Sequence, residues 1–101
     1  MIEKKFLKSK PICKVKFSLP KSQVQAAKTV TVVGDFNNWD ISATPLKKQK
    51  TGNFAATIDL DIHKEYQFRY VLDGKEWIND EEADRFVPAN IGSEQNGLLS
   101  I

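Results

Sequence analysis

Few residues of this chain are suited to building a reactive centre. Its 101 residues include one cysteine, Cys13, and one histidine, His63. One thiol cannot form an internal disulfide, and one thiol with one histidine cannot build a zinc site of the usual kinds. We therefore predict no bound metal and no cofactor, and we expect the protein to lie in the reducing cytoplasm.

The chain also lacks long apolar runs and a strong charge of either sign. No stretch approaches the roughly 20 apolar residues that a membrane span needs, and residues 1–8 lack the apolar core of a secretory signal. A net charge of +2 and a pI of 8.7 are too mild to indicate nucleic acid or an anionic membrane. The composition, with 41% apolar and 28% charged residues, is that of one ordinary globular domain.

Short alternating segments dominate the rest of the chain. Apolar residues alternate with polar ones over residues 13–19, and the same period of two returns over residues 54–60 and 66–72. About six or seven short strands with turn signals about every ten residues indicate an all-β antiparallel sandwich. We expect a flexible arm over residues 1–11 and a single domain over residues 12–101.

Two finer expectations concern the later part of the chain. Asp73 and Gly74 form a strong two-residue hairpin signal. Residues 86–97 show no strand pattern and are expected to be irregular, with a short closing strand over residues 98–101.

Residues 34–40, with the sequence GDFNNWD, form the loop that is most informative about function. They follow the β-branched run of residues 29–33, which predicts a strand. Gly34 gives the chain backbone freedom, and its polar neighbours can hold a loop by bonding their own backbone. Trp39 either presents its ring to a ligand from this loop or plugs the end of the sheet. We favour presentation.

The strand over residues 66–72 should separate two sets of side chains. If Tyr66, Phe68 and Tyr70 face the core, Arg69 must lie on the opposite face of the sheet. Gln67 and Val71 share that outer face.

The sequence contains no recognisable catalytic motif. No serine or cysteine occurs in a nucleophile-elbow context, and there is no glycine-rich phosphate loop. Four acids are crowded into one polar stretch: Asp80, Glu81, Glu82 and Asp84. A glycosidase needs two carboxylates across a cleft, one of them buried, so a solvated loop, with Asp84 and Arg85 able to pair, is the simpler interpretation. We predict that the chain is not an enzyme.

A binding surface is better supported. Trp39 and Trp77 both occur at junctions of strand and loop, among amide side chains. Those amides are Asn37, Asn38, Asn79, Asn90, Gln95 and Asn96. Aromatic faces suit the C–H faces of sugar rings, while amides and cations suit sugar hydroxyls. The same groups could stack the bases of a single nucleic-acid strand, but the low net charge argues against it.

Three segments carry a resemblance to a known family. They are residues 32–39 (VVGDFNNW), 66–77 (YQFRYVLDGKEW) and 92–96 (GSEQN). In this order they resemble carbohydrate-binding module family 48, which includes the N-terminal domains of isoamylases and glycogen-branching enzymes and the glycogen-binding domain of the AMP-activated protein kinase beta subunit. The resemblance implies an immunoglobulin-like sandwich that binds alpha-1,4-glucans such as glycogen, starch or maltooligosaccharides without catalysis.

The resemblance also implies roles for individual residues. Trp39 and Trp77 match the two stacking tryptophans, and Arg69 stands where the kinase-type domain has a lysine that contacts sugar hydroxyls. The hairpin before Trp77 is one residue longer than in that domain, and one extra residue in a strand reverses the face that a side chain takes. Ile91 matches an apolar residue beside the sugar chain.

The sequence allows two choices of site amide and two kinds of binding partner. The amide that follows the apolar position is Gln95 by count or Asn96 by residue type, and we favour Asn96. Asn38, beside Trp39, completes the predicted ligand-binding set. In the alternative hypothesis the module docks onto a partner, such as a glycogen-metabolising enzyme, without binding sugar. We predict no nucleic-acid or membrane partner.

Overall fold

Two antiparallel sheets pack face to face. The computed structural model describes residues 2–24, 27–89 and 94–101, and over these residues the chain forms nine strands and two short 3₁₀ turns. The strands are β1 Ile2–Phe6, β2 Ile12–Leu19, β3 Val30–Gly34, β4 Lys47–Lys48, β5 Phe54–Asp61, β6 Glu65–Leu72, β7 Glu76–Ile78, β8 Arg85–Pro88 and β9 Gln95–Ser100. The 3₁₀ turns are Lys21–Gln23 and Asp35–Asn37. The first sheet has the order β1-β2-β5-β4, and the second has the order β3-β6-β9-β8 with β7 paired to β6. The predicted immunoglobulin-like β-sandwich is confirmed.

Alternating side chains build the core between the sheets. Every second residue of β2, from Cys13 to Leu19, is fully buried. On β6, Phe68, Tyr70 and Leu72 turn to the same core. Burial of these apolar side chains is the main source of stability for such a sandwich.

Phe17 lies at the centre of an aromatic cluster in this core. Its ring centroid is 5.4 Å from that of Phe68, 5.7 Å from that of Phe36 and 6.3 Å from that of Tyr70. These separations are typical of favourable offset and edge contacts between rings. Phe36 belongs to the loop of residues 34–40, so the core itself anchors that loop.

The N-terminal segment differs from the expected flexible arm. Ile2–Phe6 pair antiparallel with β2 and form the edge of the first sheet. The sequence hides this strand because most of its side chains are exposed, as is common for a charged edge strand that is held by backbone pairing. Lys4 Nζ also donates to Asp84 Oδ2 at 2.7 Å and to the Ser100 carbonyl oxygen at 3.0 Å. The side chain of Lys4 therefore links the two sheets.

The prediction that residues 86–97 are irregular is wrong for residues 86–88 and 95–97, which belong to strands, while residues 90–93 lie outside the described part of the chain. β8 pairs with β9, which begins at Gln95. The side chain of Asn79 fixes this strand, because its Nδ2 donates to the Gln95 carbonyl oxygen at 2.9 Å and its Oδ1 accepts from the Gly97 N–H at 3.1 Å. The amide of Asn79 is thus engaged within the fold.

The acidic stretch is not simply a solvated loop. Asp80 is only 3% exposed, and its Oδ2 accepts a hydrogen bond of 2.7 Å from the Tyr70 hydroxyl. Burial and the neighbouring carboxylate raise the pKa of Tyr70, so the phenol remains a proton donor. The acidic stretch is therefore tied to the core at Asp80.

Asp84 and Arg85 do not pair with each other. Arg85 Nη2 contacts Glu65 Oε2 at 2.7 Å, while Asp84 binds Lys4. Burial raises the pKa of Asp84, but the hydrogen bonds from Lys4 and the Ser100 N–H outweigh it, and the pKa lies below the ordinary 3.8. The ionised carboxylate therefore stabilises the fold.

Acid should weaken this link between the sheets. A carboxylate whose pKa is lower in the folded protein than in the unfolded chain stabilises the folded state when the pH is above the unfolded pKa. This stabilisation is lost as the pH falls through the folded pKa. Below about pH 4, we expect the free energy of unfolding to fall more steeply in the wild type than in Asp84→Asn. Urea titrations at several pH values measure this, with Glu81→Gln as a control at an exposed acid. Parallel curves for the wild type and Asp84→Asn would contradict the assignment.

Candidate functional site

The loop of residues 34–40 leaves β3 where only glycine fits. Gly34 is extended, with φ at −179°, so the reason is space and not a special backbone angle. A Cβ at this position would lie 2.4 Å from the Gln67 carbonyl oxygen. Asn37 then holds the loop, since its Oδ1 accepts from the Gly34 N–H at 3.0 Å and its Nδ2 donates to the Val32 carbonyl oxygen at 2.9 Å.

Trp39 is held in an uncommon backbone conformation. Both Asn38 and Trp39 lie in the left-handed region, with φ at 58° and 57°, which is rare for a bulky residue and needs support from its surroundings. That support comes from Asp35. Its Oδ1 accepts from Trp39 Nε1 at 3.1 Å and its Oδ2 accepts from the Gln67 N–H at 2.8 Å. One carboxylate therefore ties the indole to β6.

Arg69 lies on the outer face of β6, as predicted, and is nevertheless only 7% exposed. Its Nε donates to Asn96 Oδ1 at 2.6 Å, and its Nη1 lies 3.4 Å from Glu94 Oε1. Asn96 Nδ2 in turn donates to Gln67 Oε1 at 3.0 Å. A buried cation needs such partners, and the network fixes the orientation of the guanidinium group.

The hairpin after β6 has three loop residues, where the sequence suggested two. Asp73 and Gly74 take positive φ angles of 52° and 68°, and the Lys75 N–H closes the turn on the Leu72 carbonyl oxygen at 3.0 Å. Strand pairing resumes only at Glu76, which opposes Leu72. Lys75 is thus the third residue of the loop and accounts for its extra length.

The register after this turn decides the position of Trp77. Trp77 opposes Val71, and directly opposed residues of an antiparallel pair lie on the same face of the sheet. Trp77 therefore shares its face with Arg69, and the extra hairpin residue does not reverse it.

An open cavity of about 650 Å³ brings these groups together on the outer face of the second sheet. Its described wall consists of Asp35, Trp39, Gln67, Arg69, Lys75, Trp77, Ala89, Glu94 and Asn96. Both tryptophans of the chain are in this wall. Phe36, and not Trp39, is the residue of this loop that packs against the core, whereas Trp39 lies in the cavity wall.

Not every predicted site residue reaches the cavity. Trp39, Arg69, Trp77 and Asn96 do. Gln95 precedes Asn96 on β9 and so points to the other face of the strand, and Asn38 is exposed outside the wall. Ile91 lies outside the described residues.

The sequence analysis did not assign four polar wall residues to the site: Asp35, Gln67, Lys75 and Glu94. Gln67 had a detectable signal, since it alternates in phase with Arg69 along β6. Asp35 lies in the loop of residues 34–40, and its bond with Trp39 is local to that loop, but its bond with the Gln67 N–H joins residues 32 positions apart in the chain. Glu94 gave no signal, because its approach to Arg69 depends on the course of the chain into β9.

The cavity offers recognition groups. It combines two indole rings with hydrogen-bond donors and acceptors from an arginine, a lysine, two amides and two carboxylates. Within the described residues, no group of three histidine, cysteine, aspartate or glutamate side chains could hold a metal ion. In the same part of the chain, no helix has the length and apolar character needed to cross a membrane.

This fold and cavity define a β-sandwich module with an aromatic-lined surface site. The chain belongs to the carbohydrate-binding module 48 family, the isoamylase N-terminal domain, whose family model matches residues 24–87, more than half of the chain. This confirms the resemblance seen in the sequence. Trp39, Arg69 and Trp77 fall inside the matched range, and Asn96 lies beyond it. No curated protein matches the chain.

Proposed function

We propose that this protein is a cytoplasmic, non-catalytic module that binds alpha-1,4-glucans, such as glycogen, starch or maltooligosaccharides. The observation that carries the proposal is the placement of Trp39, Trp77 and the Arg69–Asn96 pair in one open cavity. Membership of a carbohydrate-binding family gives independent support.

The chemistry of the wall suits a glucan chain. The indole faces of Trp39 and Trp77 can cover the apolar C–H faces of glucose units. Arg69 and Gln67 retain side-chain N–H groups without a partner among the described residues, and these can donate to sugar hydroxyls. Because the network already orients these groups, binding need not pay for ordering them.

A titration of the wild type with maltoheptaose tests the proposal. Both tryptophans lie in the cavity wall, so tryptophan emission reports on this site alone. We expect a saturable change that is nearly independent of salt, with beta-cyclodextrin as a second alpha-linked ligand and cellohexaose as a beta-linked control. Absence of any response at millimolar sugar, with the protein folded, would overturn the proposal and leave docking onto another protein as the better account. A response to single-stranded nucleic acid that falls steeply with salt would point to that third class.

The structure supports a choice between the two candidate amides. Asn96 lies in the wall and bonds Arg69 at 2.6 Å, whereas Gln95 does not reach the cavity. We expect Asn96→Ala to weaken maltoheptaose affinity by about tenfold, since it removes a ligand group and frees Arg69. Gln95→Ala is the matched control and should change the affinity little. The reverse order of effects would show that Gln95 is the sugar-contacting amide.

A further inference from the structure

The far edge of the first sheet is largely open. β5 has eight residues, but β4 pairs only with Phe54 and Ala55 at its start. From Ala56 to Asp61, the side of β5 that faces away from β2 has no strand partner within the described residues. An open strand edge presents backbone N–H and C=O groups to any extended chain that can pair with it.

A lysine-lined groove runs along the first part of this open edge, at residues 56–58. Beyond the groove the edge carries Asp59 and Asp61, and each of these carboxylates is paired with a lysine. The volume of the groove is about 880 Å³, and its described wall contains three lysines and no acidic residue. The wall is formed by Lys16, Ala43, Thr44, Pro45, Lys47, Lys48, Gln49, Ala55, Ala56, Thr57 and Ile58. Lys14, further along β2, is paired with Asp59 at 3.2 Å, but the three groove lysines make no ion pair within the described residues.

The groove is separate from the glucan site. Lys16 and Thr57 oppose each other on the outer face of the first sheet, whereas Arg69 and Trp77 lie on the outer face of the second sheet. Occupation of one surface leaves the other accessible, so a partner and a glucan can be held together.

We propose that this groove binds an acidic, extended polypeptide segment of a partner protein, which adds to β5 as an edge strand. The backbone of β5 from Ala56 onward would supply the pairing, and Lys16, Lys47 and Lys48 would attract the acidic side chains. A second copy of this chain fits the groove less well, because two lysine-lined edges would face each other and repel.

The experiment uses the whole chain and a labelled probe peptide of alternating glutamate and valine, long enough to pair with residues 56–60. Fluorescence anisotropy measures its affinity, and amide NMR shifts locate it. We expect binding that weakens with salt, with the largest shifts at Ala56, Thr57 and Ile58. The double variant Lys16→Glu/Lys47→Glu should bind about tenfold or more weakly.

Three controls make the result decisive. Lys8→Glu/Lys10→Glu makes the same charge change at exposed lysines away from the groove and should keep the wild-type affinity. A peptide of alternating lysine and valine should not bind. The melting temperature shows that each variant is folded. The peptide test does not depend on whether the chain binds glucan.

Several outcomes would overturn the proposal. They are equal weakening by both double variants, equal binding of the lysine peptide, absence of binding by the acidic peptide, and peptide shifts confined to β1 or β8. Concentration-dependent dimerisation with shifts at Ala56 to Ile58 would show that the edge serves a second copy of the chain instead.

Discussion

Trp39→Ala is expected to lower the affinity for maltoheptaose by about tenfold or more, equivalent to about 1.4 kcal/mol. The variant removes the indole face that Asp35 holds at the cavity wall, and a fixed aromatic platform is the kind of group that dominates a small interface. Trp77 remains in the same cavity, so its emission still reports on sugar in the variant. Fluorescence titration, checked by calorimetry, gives the two affinities.

Phe86→Ala provides the matched control for this prediction. Phe86 is another exposed aromatic residue, with 43% of its surface accessible, but it is not part of the cavity wall. Its loss should leave the sugar affinity unchanged. If a folded Trp39→Ala protein retained the wild-type affinity, the ligand platform would have to lie elsewhere.

Gly34→Ala is expected to cause the largest loss of stability, about 3 kcal/mol. The added methyl group would lie 2.4 Å from the Gln67 carbonyl oxygen and 2.9 Å from Phe68 Cβ. Neither atom can withdraw as the end of a flexible side chain could, so β3 and β6 must separate. Urea unfolding followed by circular dichroism measures the change.

Gly74→Ala separates this steric effect from the general cost of replacing glycine. A Cβ at Gly74 meets no atom within 4 Å, and the substitution meets only the strain of a positive φ angle. We expect it to cost about 1 kcal/mol. If Gly34→Ala were no more destabilising than Gly74→Ala, close approach of β3 and β6 would not be the reason for glycine at residue 34.

Sequence alternation predicted the faces of the inner strands because burial on one side leaves a period of two. β2 and β6 follow this rule, and the alternation along β6 correctly predicted that Arg69 lies on the outer face of the sheet. β1 and β8 escaped prediction because they are edge strands with mostly exposed side chains. Their positions depend on backbone pairing with distant segments, which leaves no such pattern in the sequence.

The candidate site shows a similar division. Trp39 and Trp77 could be selected from the sequence because large rings among turn residues are conspicuous. The clamp made by Asp35 and the approach of Glu94 to Arg69 could not be foreseen, because each joins residues that are far apart in the chain. Asn96 was favoured over Gln95 by residue type alone, and the phase of β9, which brings Asn96 and not Gln95 into the cavity wall, could not be foreseen.

The turn between β6 and β7 has three residues, and its extra residue does not shift the pairing of the two strands. Lys75 is the extra residue of the loop, and Trp77 still lies opposite Val71. We therefore expect an insertion at the tip, where a Cβ at Gly74 would meet no atom within 4 Å, to leave Trp77 in the cavity wall. Because Lys75 already borders the cavity, a longer tip would place new side chains at its rim. Growth of this turn would thus change the rim of the cavity while Trp77 keeps its place opposite Val71.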